Sequence, residues 1–250
     1  MRGGATGTAM SRKRYGSMKK ARRGSAYKSA RKIVVYSKSS ELNGMDTELN
    51  VMDQITNIAS GTTDIVPLNL VRTGNGSWNR SGKKITLDSV RIFGELEANF
   101  TPGATTANYF GLTYRLALVW DKQPSGNTLP AFNDIFGTTD QAGTESTDIF
   151  DPIKYDNTGR FTLLWDHKEC LNPPALTSGG SGNDYKVKTY VDKYVKLGGK
   201  ETIFGGNSSP MTIADISTGG LYLIARASEN NADSNIVADT KFKARLRYYM

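Results

Sequence analysis

One cysteine and one histidine occur among 250 residues. A single thiol allows no internal disulfide and no cysteine-based zinc site, so Cys170 reads as a small buried hydrophobe or an incidental thiol. The single imidazole, His167, removes paired-histidine metal sites and any relay that needs two rings. No run of about 18 apolar residues is present, so no membrane-spanning helix and no membrane insertion are expected. Nor does an apolar stretch of about 7 to 15 residues follow the basic start, so no secretory signal is read and intracellular residence is the default. The Asn-x-Ser/Thr matches at Asn75, Asn79, Asn99 and Asn207 then read as chance matches.

Catalytic signatures are missing too. No Gly-x-Ser-x-Gly elbow occurs, and His167 follows Asp166 at an ordinary strand end. The glycines at 74 and 76, and those at 179, 180 and 182, lack the Lys-Ser/Thr of a phosphate loop. Carboxylates stand mostly singly, with no dense acidic cluster for a divalent cation. The sequence therefore predicts no enzyme, no catalytic residue, no cofactor and no metal site.

Acidic residues are absent from the first 40 positions, which carry twelve basic ones: Arg2, Arg12, Lys13, Arg14, Lys19, Lys20, Arg22, Arg23, Lys28, Arg31, Lys32 and Lys38. The overall net charge of +8 therefore divides into +12 before Glu41 and −4 after it. Segment 1–32 is built from Gly, Ala, Ser, Thr, Lys and Arg with few large apolar side chains. It cannot bury enough surface to offset an ordering cost of roughly 1–2 kcal/mol per residue, and is expected to be disordered in isolation. Twelve like charges call for an anionic partner, and nucleic acid fits best, because each Lys or Arg can neutralise a phosphate without the arm being ordered. An amphipathic membrane helix fits worse, since no apolar face recurs at helical spacing. Tyr15 and Tyr27 are placed to stack on bases of a single strand. The clusters Arg12-Lys13-Arg14 and Lys19-Lys20-Ala21-Arg22-Arg23 also read as a two-part nuclear localisation signal, with a host nuclear import receptor as the implied partner.

From Ile33 onward the dominant period is two. In 185–197, Tyr185, Val187, Thr189, Val191, Val195 and Leu197 share one face, interrupted only by Lys193, with Lys186, Lys188, Asp192 and Lys196 on the other. Near the C-terminus Phe242, Ala244, Leu246 and Tyr248 oppose Lys241, Lys243, Arg245 and Arg247. Those four cations lie about 7 Å apart along a strand, close to the phosphate spacing of an extended nucleic acid, and form a second, weaker candidate patch. Equally, they read as a solvated face paired with carboxylates, and Tyr248 and Tyr249 as part of a subunit interface. In 83–100 the apolar parity switches near Asp88-Ser89, which predicts a β-bulge. Segments 112–120, 160–166 and 221–227 read as central strands covered on both faces, with weaker strands at 33–37, 47–54, 62–68 and 201–204. Residues 121–159 form a long connection with one short helical turn near 131–136. About eight strands, long crossings and almost no helix predict an all-β, eight-stranded antiparallel jelly-roll sandwich, with the basic arm over 1–38 and the jelly roll over 39–250.

Several stretches then resemble one family. They are Tyr-Arg-Leu-Ala-Leu-Val-Trp-Asp-Lys-Gln-Pro-Ser-Gly-Asn at 114–127, Phe-Asn-Asp-Ile-Phe at 132–136 and Arg-Phe-Thr-Leu-Leu-Trp-Asp at 160–166. Upstream stand Pro-Leu-Asn-Leu at 67–70 and Arg-Ser-Gly-Lys-Lys-Ile-Thr-Leu-Asp-Ser at 80–89, where Ser81 replaces an expected aliphatic. Together with the arm they resemble capsid proteins of small circular single-stranded DNA viruses that encode their own replication initiator, geminivirus-like and circovirus-like. The jelly roll is similar to that of satellite tobacco necrosis virus. The resemblance implies self-assembly into an icosahedral shell, located in the virion and assembled in the host nucleus, with the arm on a single-stranded genome. If about 60 copies close a minimal shell, their arms carry roughly 700 positive charges, enough to offset much of a strand of about one to two thousand nucleotides. Two other classes fit the residues: a non-viral nuclear β-sandwich that binds nucleic acid or histones, and a carbohydrate-binding jelly roll using Trp78, Trp120 and Trp165.

Overall fold

The computed structural model describes residues 42–51, 63–100, 112–171 (apart from 125, 127, 140–142 and 147), 185–227 and 236–250. The basic arm, the expected strand at 33–37 and the glycines at 179, 180 and 182 lie outside the described residues.

Eleven strands are described: β1 (Leu42–Val51), β2 (Thr63–Pro67), β3 (Lys84–Phe100), β4 (Leu112–Asp121), β5 (Thr138–Thr139), β6 (Glu145–Ser146), β7 (Phe161–Leu171), β8 (Tyr185–Phe204), β9 (Ile216–Thr218), β10 (Gly220–Ala227) and β11 (Ile236–Tyr249). One short helix, α1 (Phe132–Ile135), falls where a helical turn is expected in the long connection. A five-stranded sheet runs β1-β11-β3-β8-β9 and a four-stranded sheet runs β2-β10-β4-β7. Neighbours in both are antiparallel and, apart from the consecutive β8 and β9, not successive in the chain, so hairpins are replaced by crossings from sheet to sheet. Without the short β9, four strands face four strands in the order of two interlocked Greek keys, which is the jelly roll.

The period-two pattern explains the packing. Ile85, Leu87, Val90, Ile92, Leu96 and Ala98 of β3 enter the core together with Phe242, Ala244, Leu246 and Tyr248 of β11. Each such aliphatic contributes roughly 1.5–3 kcal/mol when fully buried. The parity switch in β3 is a register shift: Leu87 pairs with Lys200 and Ser89 with Lys196, leaving Asp88 unpaired. Opposite it, Gly198 and Gly199 have φ of +65° and +75°, a backbone that favours glycine. β8 changes parity there as well, from buried Val191 and Leu197 to buried Thr202 and Phe204. For that reason the separate weak strand expected at 201–204 is the far half of one 20-residue strand. At Gly94 the two long strands approach so closely that a Cβ would collide with the Lys241 carbonyl and the Phe242 backbone.

Three expectations need correction. Segment 160–166 begins β7, which is the edge of the four-stranded sheet and only half-buried along most of its length. Its apolar residues face the core on one side but find no outer cover. Cys170 on β7 is exposed, not buried. Tyr248 is fully buried, its hydroxyl pushed up to about 12 by that burial, so it belongs to the core and not to a surface contact.

Over β4 and β10 the outer face of the four-stranded sheet is closed by the long connection after β4. β4 and β10 are buried on both faces, as expected, because Phe132, Ile135, Phe136 and Ile149 of this connection pack within the protein interior. Arg115 locks the cover in place. Its guanidinium donates to both oxygens of Asp166 at 2.8 and 2.9 Å, and to the carbonyls of Ile149 and Asp151 at 2.9 and 2.7 Å. It also lies 3.9 Å above the Phe136 ring. Arg160 holds the fully buried Asp121 in the same bidentate manner, at 2.9 and 2.8 Å. This hydrogen bonding raises the guanidinium above its ordinary range. Buried Arg80 donates to the carbonyls of Val71 and Gly206, both at 2.8 Å, and lies 4.1 Å from the Phe204 ring. Asn69 donates to Thr202 Oγ1 and to the Gly219 carbonyl, both at 2.8 Å, and accepts from the Leu221 amide at 3.0 Å. The stretches that carry the family resemblance thus supply the polar clamps between loops and sheets. Their burial demands these partners, since an unpaired buried polar group costs roughly 1–3 kcal/mol.

Candidate nucleic-acid interface

Among the described residues no such cover lies over the outer face of the five-stranded sheet. Its residues line up in register across β1, β11, β3 and β8, in rungs Gly44-Arg247-Ser89-Lys196, Asp46-Arg245-Arg91-Tyr194, Glu48-Lys243-Phe93-Asp192 and Asn50-Lys241-Glu95-Tyr190. A fifth rung sets Asp239, Glu97 and Lys188 side by side. Lys241, Lys243, Arg245 and Arg247 of the predicted ridge are all exposed.

Carboxylates neutralise most of that ridge. Arg245 clasps Asp46 through two hydrogen bonds of 2.7 and 2.8 Å, and Lys241 Nζ lies 3.9 Å from Glu95 Oε1. Lys243 sits beside Glu48 in register and adds to the positive field that, with the Arg245 hydrogen bond first, lowers the Asp46 carboxyl. Arg91 grips Asp192 at 2.9 and 2.6 Å, which holds that carboxyl below its usual range and raises the guanidinium. Farther along, Glu97 accepts from Lys186 at 2.7 Å and pairs with Lys188 at 2.5 Å, and these two ammonium groups hold its carboxyl at about 2. The face is therefore graded: acids match cations along most of its length, whereas the rung of Arg247 contains no carboxylate.

At that cationic end lies a cleft of about 270 Å³ lined by Ser89, Arg91, Phe93, Tyr194, Arg245 and Arg247. Of these, the sequence pattern identified Arg245 and Arg247. Ser89, Arg91, Phe93 and Tyr194 were missed, because their meeting depends on the register of three strands. The outward parity of Arg91 and Phe93 along β3 was the available signal. The arm residues Arg12, Lys13, Arg14, Lys19, Lys20, Arg22, Arg23, Lys28, Arg31 and Lys32 lie outside the described residues.

Elsewhere the chemistry is structural. His167 Nε2 is 3.1 Å from Glu169 Oε2, and the imidazole stacks on Trp165 with ring centres 5.8 Å apart. Glu169 also accepts from Thr189 Oγ1 at 2.9 Å, which ties β7 to β8. Trp120 is in the core and Trp165 packs against it, so of the three tryptophans only Trp78 offers most of its ring to solvent. Among the described residues no three His, Cys, Asp or Glu side chains gather as metal ligands, and no helix is long and apolar enough to cross a membrane.

Residues 2–250 match the Geminivirus coat protein/nuclear export factor BR1 family. The chain belongs to this family. Membership gives it a capsid role and a place in the virion and implies oligomeric assembly, and the coat-protein family is a structural one. No curated protein matches the chain. Among solved structures it is similar to the VP1 of Trichodysplasia spinulosa-associated polyomavirus, determined in complex with GM1 oligosaccharide. That pair shares 10% identity over 86% of this chain and 95% of VP1, with a TM-score of 0.24. A second similar structure is that of T=1 particles derived from infectious bursal virus, at 13% identity over 86% of this chain and 41% of the other, with a TM-score of 0.11. The architecture of this coat-protein family member rests on its own strand order, not on these two.

Proposed function

We propose that copies of the chain close into a small icosahedral shell that packages a circular single-stranded DNA through the basic arm. The observation that carries this reading is the division of charge, +12 in residues 1–40 against −4 in the remainder, within a chain of the coat-protein family. Cations at Arg12–Arg14, Lys19–Arg23, Lys28, Arg31 and Lys32 neutralise phosphates and release counterions, a contact indifferent to base sequence. With a net negative charge, the body adds no overall attraction for the genome. Contact between copies falls to loops and sheet edges, restricted by point-group symmetry to about 60 equivalent positions in the minimal shell. The clusters Arg12-Lys13-Arg14 and Lys19-Lys20-Ala21-Arg22-Arg23 direct the free chain to the host nucleus through an import receptor.

Electron microscopy and nuclease digestion of the purified full-length chain test this. The expected result is closed shells that protect single-stranded DNA from nuclease. Monomers or small oligomers at every salt concentration contradict it. Because the family description pairs coat protein with nuclear export factor, a second reading is a nucleic-acid carrier that acts without a shell. DNA binding without closed particles would favour that reading.

A further inference from the structure

We infer that the cleft between β11, β3 and β8 accepts one nucleotide of a single-stranded nucleic acid, its base against Tyr194 and Phe93 and its adjoining phosphate at Arg247. The inference rests on the nucleic-acid reading above and adds a place on the body and a unit of recognition.

Four observations carry it. First, at about 270 Å³ the cleft is near the lower bound of small-molecule sites, a size suited to one planar base with its sugar-phosphate and not to a folded partner. Second, Tyr194 is an aromatic residue 52% exposed on a strand face, with Phe93 on the neighbouring strand, so ring surface is open to stacking. Third, Arg91 and Arg245 are fixed in orientation by two hydrogen bonds each to Asp192 and Asp46. Their guanidinium planes are pre-organised walls, and Arg91 already lies 5.6 Å from the Phe93 ring centre. Fourth, three guanidiniums meet two carboxylates, and the excess cation is Arg247, which has no ion-pair partner among the described residues.

The surroundings set the polarity of the site. Lys196 stands on the Arg247 rung, roughly 10 Å away across two strand spacings, and supplies a second cation beyond the cleft. At the opposite end of the face Glu95 and Glu97 already engage Lys186, Lys188 and Lys241, so the cations there are matched and the backbone of a bound strand leaves past Arg247 and Lys196. A base within a duplex has no free face for Tyr194, so the cleft discriminates against double strands. An acidic peptide could pair with Arg247 but would leave the aromatic wall unused.

Photo-crosslinking of the full-length chain to an oligothymidylate carrying one 5-iododeoxyuridine, with adducts located by mass spectrometry, tests the assignment. Adducts are expected at Tyr194 or Phe93, in addition to any on Tyr15 and Tyr27 of the arm. Tyr194→Leu should abolish the β8 adduct and weaken binding at least about fivefold in salt high enough to suppress the arm, while Tyr194→Phe keeps both. Arg247→Gln should reduce the slope of log affinity against log salt by about 0.7, the share of one phosphate. Adducts confined to the arm would overturn the cleft assignment and leave the packaging reading standing, and an unchanged slope for Arg247→Gln would overturn the phosphate contact. Absence of binding and of every adduct would overturn the packaging reading itself.

Discussion

Arg115 on the four-stranded sheet and Arg245 on the five-stranded sheet each clasp an aspartate through both of its oxygens, yet their side chains are 2% and 54% exposed. Around Arg115 the connection after β4 excludes water, and its carbonyls and the Phe136 ring complete the guanidinium's contacts. Around Arg245, among the described residues, there is no such cover, only the neighbouring rungs of the sheet. One sheet uses its arginines to seal its outer face, whereas the other leaves them about half exposed. The same residue type in the same pairing thus does opposite work, decided by what the rest of the chain lays over it.

That contrast breaks most visibly at Arg115. Replacing it with alanine strands Asp166 and two buried carbonyls, and should cost about 3 kcal/mol or more in urea unfolding. A loss under about 1 kcal/mol would mean that the cover is held by its apolar contacts alone. Arg245→Ala on the open sheet should cost under about 1 kcal/mol in the same measurement, because exposed pairs are screened and exchange readily with water. If the two losses were equal, the difference between the faces would be one of appearance only.

The smallest effect concerns acid. Glu97 has a folded-state carboxyl held at about 2 by Lys186 and Lys188, below an unfolded value of about 4.3. Its stabilising contribution is therefore complete above about pH 4.5 and is lost as the pH falls through about 2. Glu97→Gln should flatten the fall in stability between those limits. An acid limb identical to that of the parent chain would show that the pairing is not maintained in solution.

Strand parity made much of this architecture readable from residues alone. The long alternations placed β3, β8 and β11, and the parity switch at Asp88-Ser89 located the bulge, because sidedness is a local property of an extended chain. Apolar content alone misplaced 160–166, since a core-facing edge strand and a central strand differ only in what covers the second face. The buried arginines were legible as residues within motifs and not as clamps, because each reaches a partner at least 34 positions away, and Arg80 one 126 away. The cleft was half legible for a related reason. β11 declared Arg245 and Arg247, but the acids that neutralise the ridge and the aromatics that line the cleft come from strands brought alongside only by the jelly-roll order.

The division of labour between arm and body is tested most directly by the salt dependence of single-stranded DNA affinity, compared between the full chain and a chain lacking residues 1–32. Removal of those residues should take away most of the slope and leave about −0.7 to −1.4, the share of Arg247 alone or with Lys196 beside it on the open sheet. An unchanged slope would place the genome contacts on the body and contradict the account.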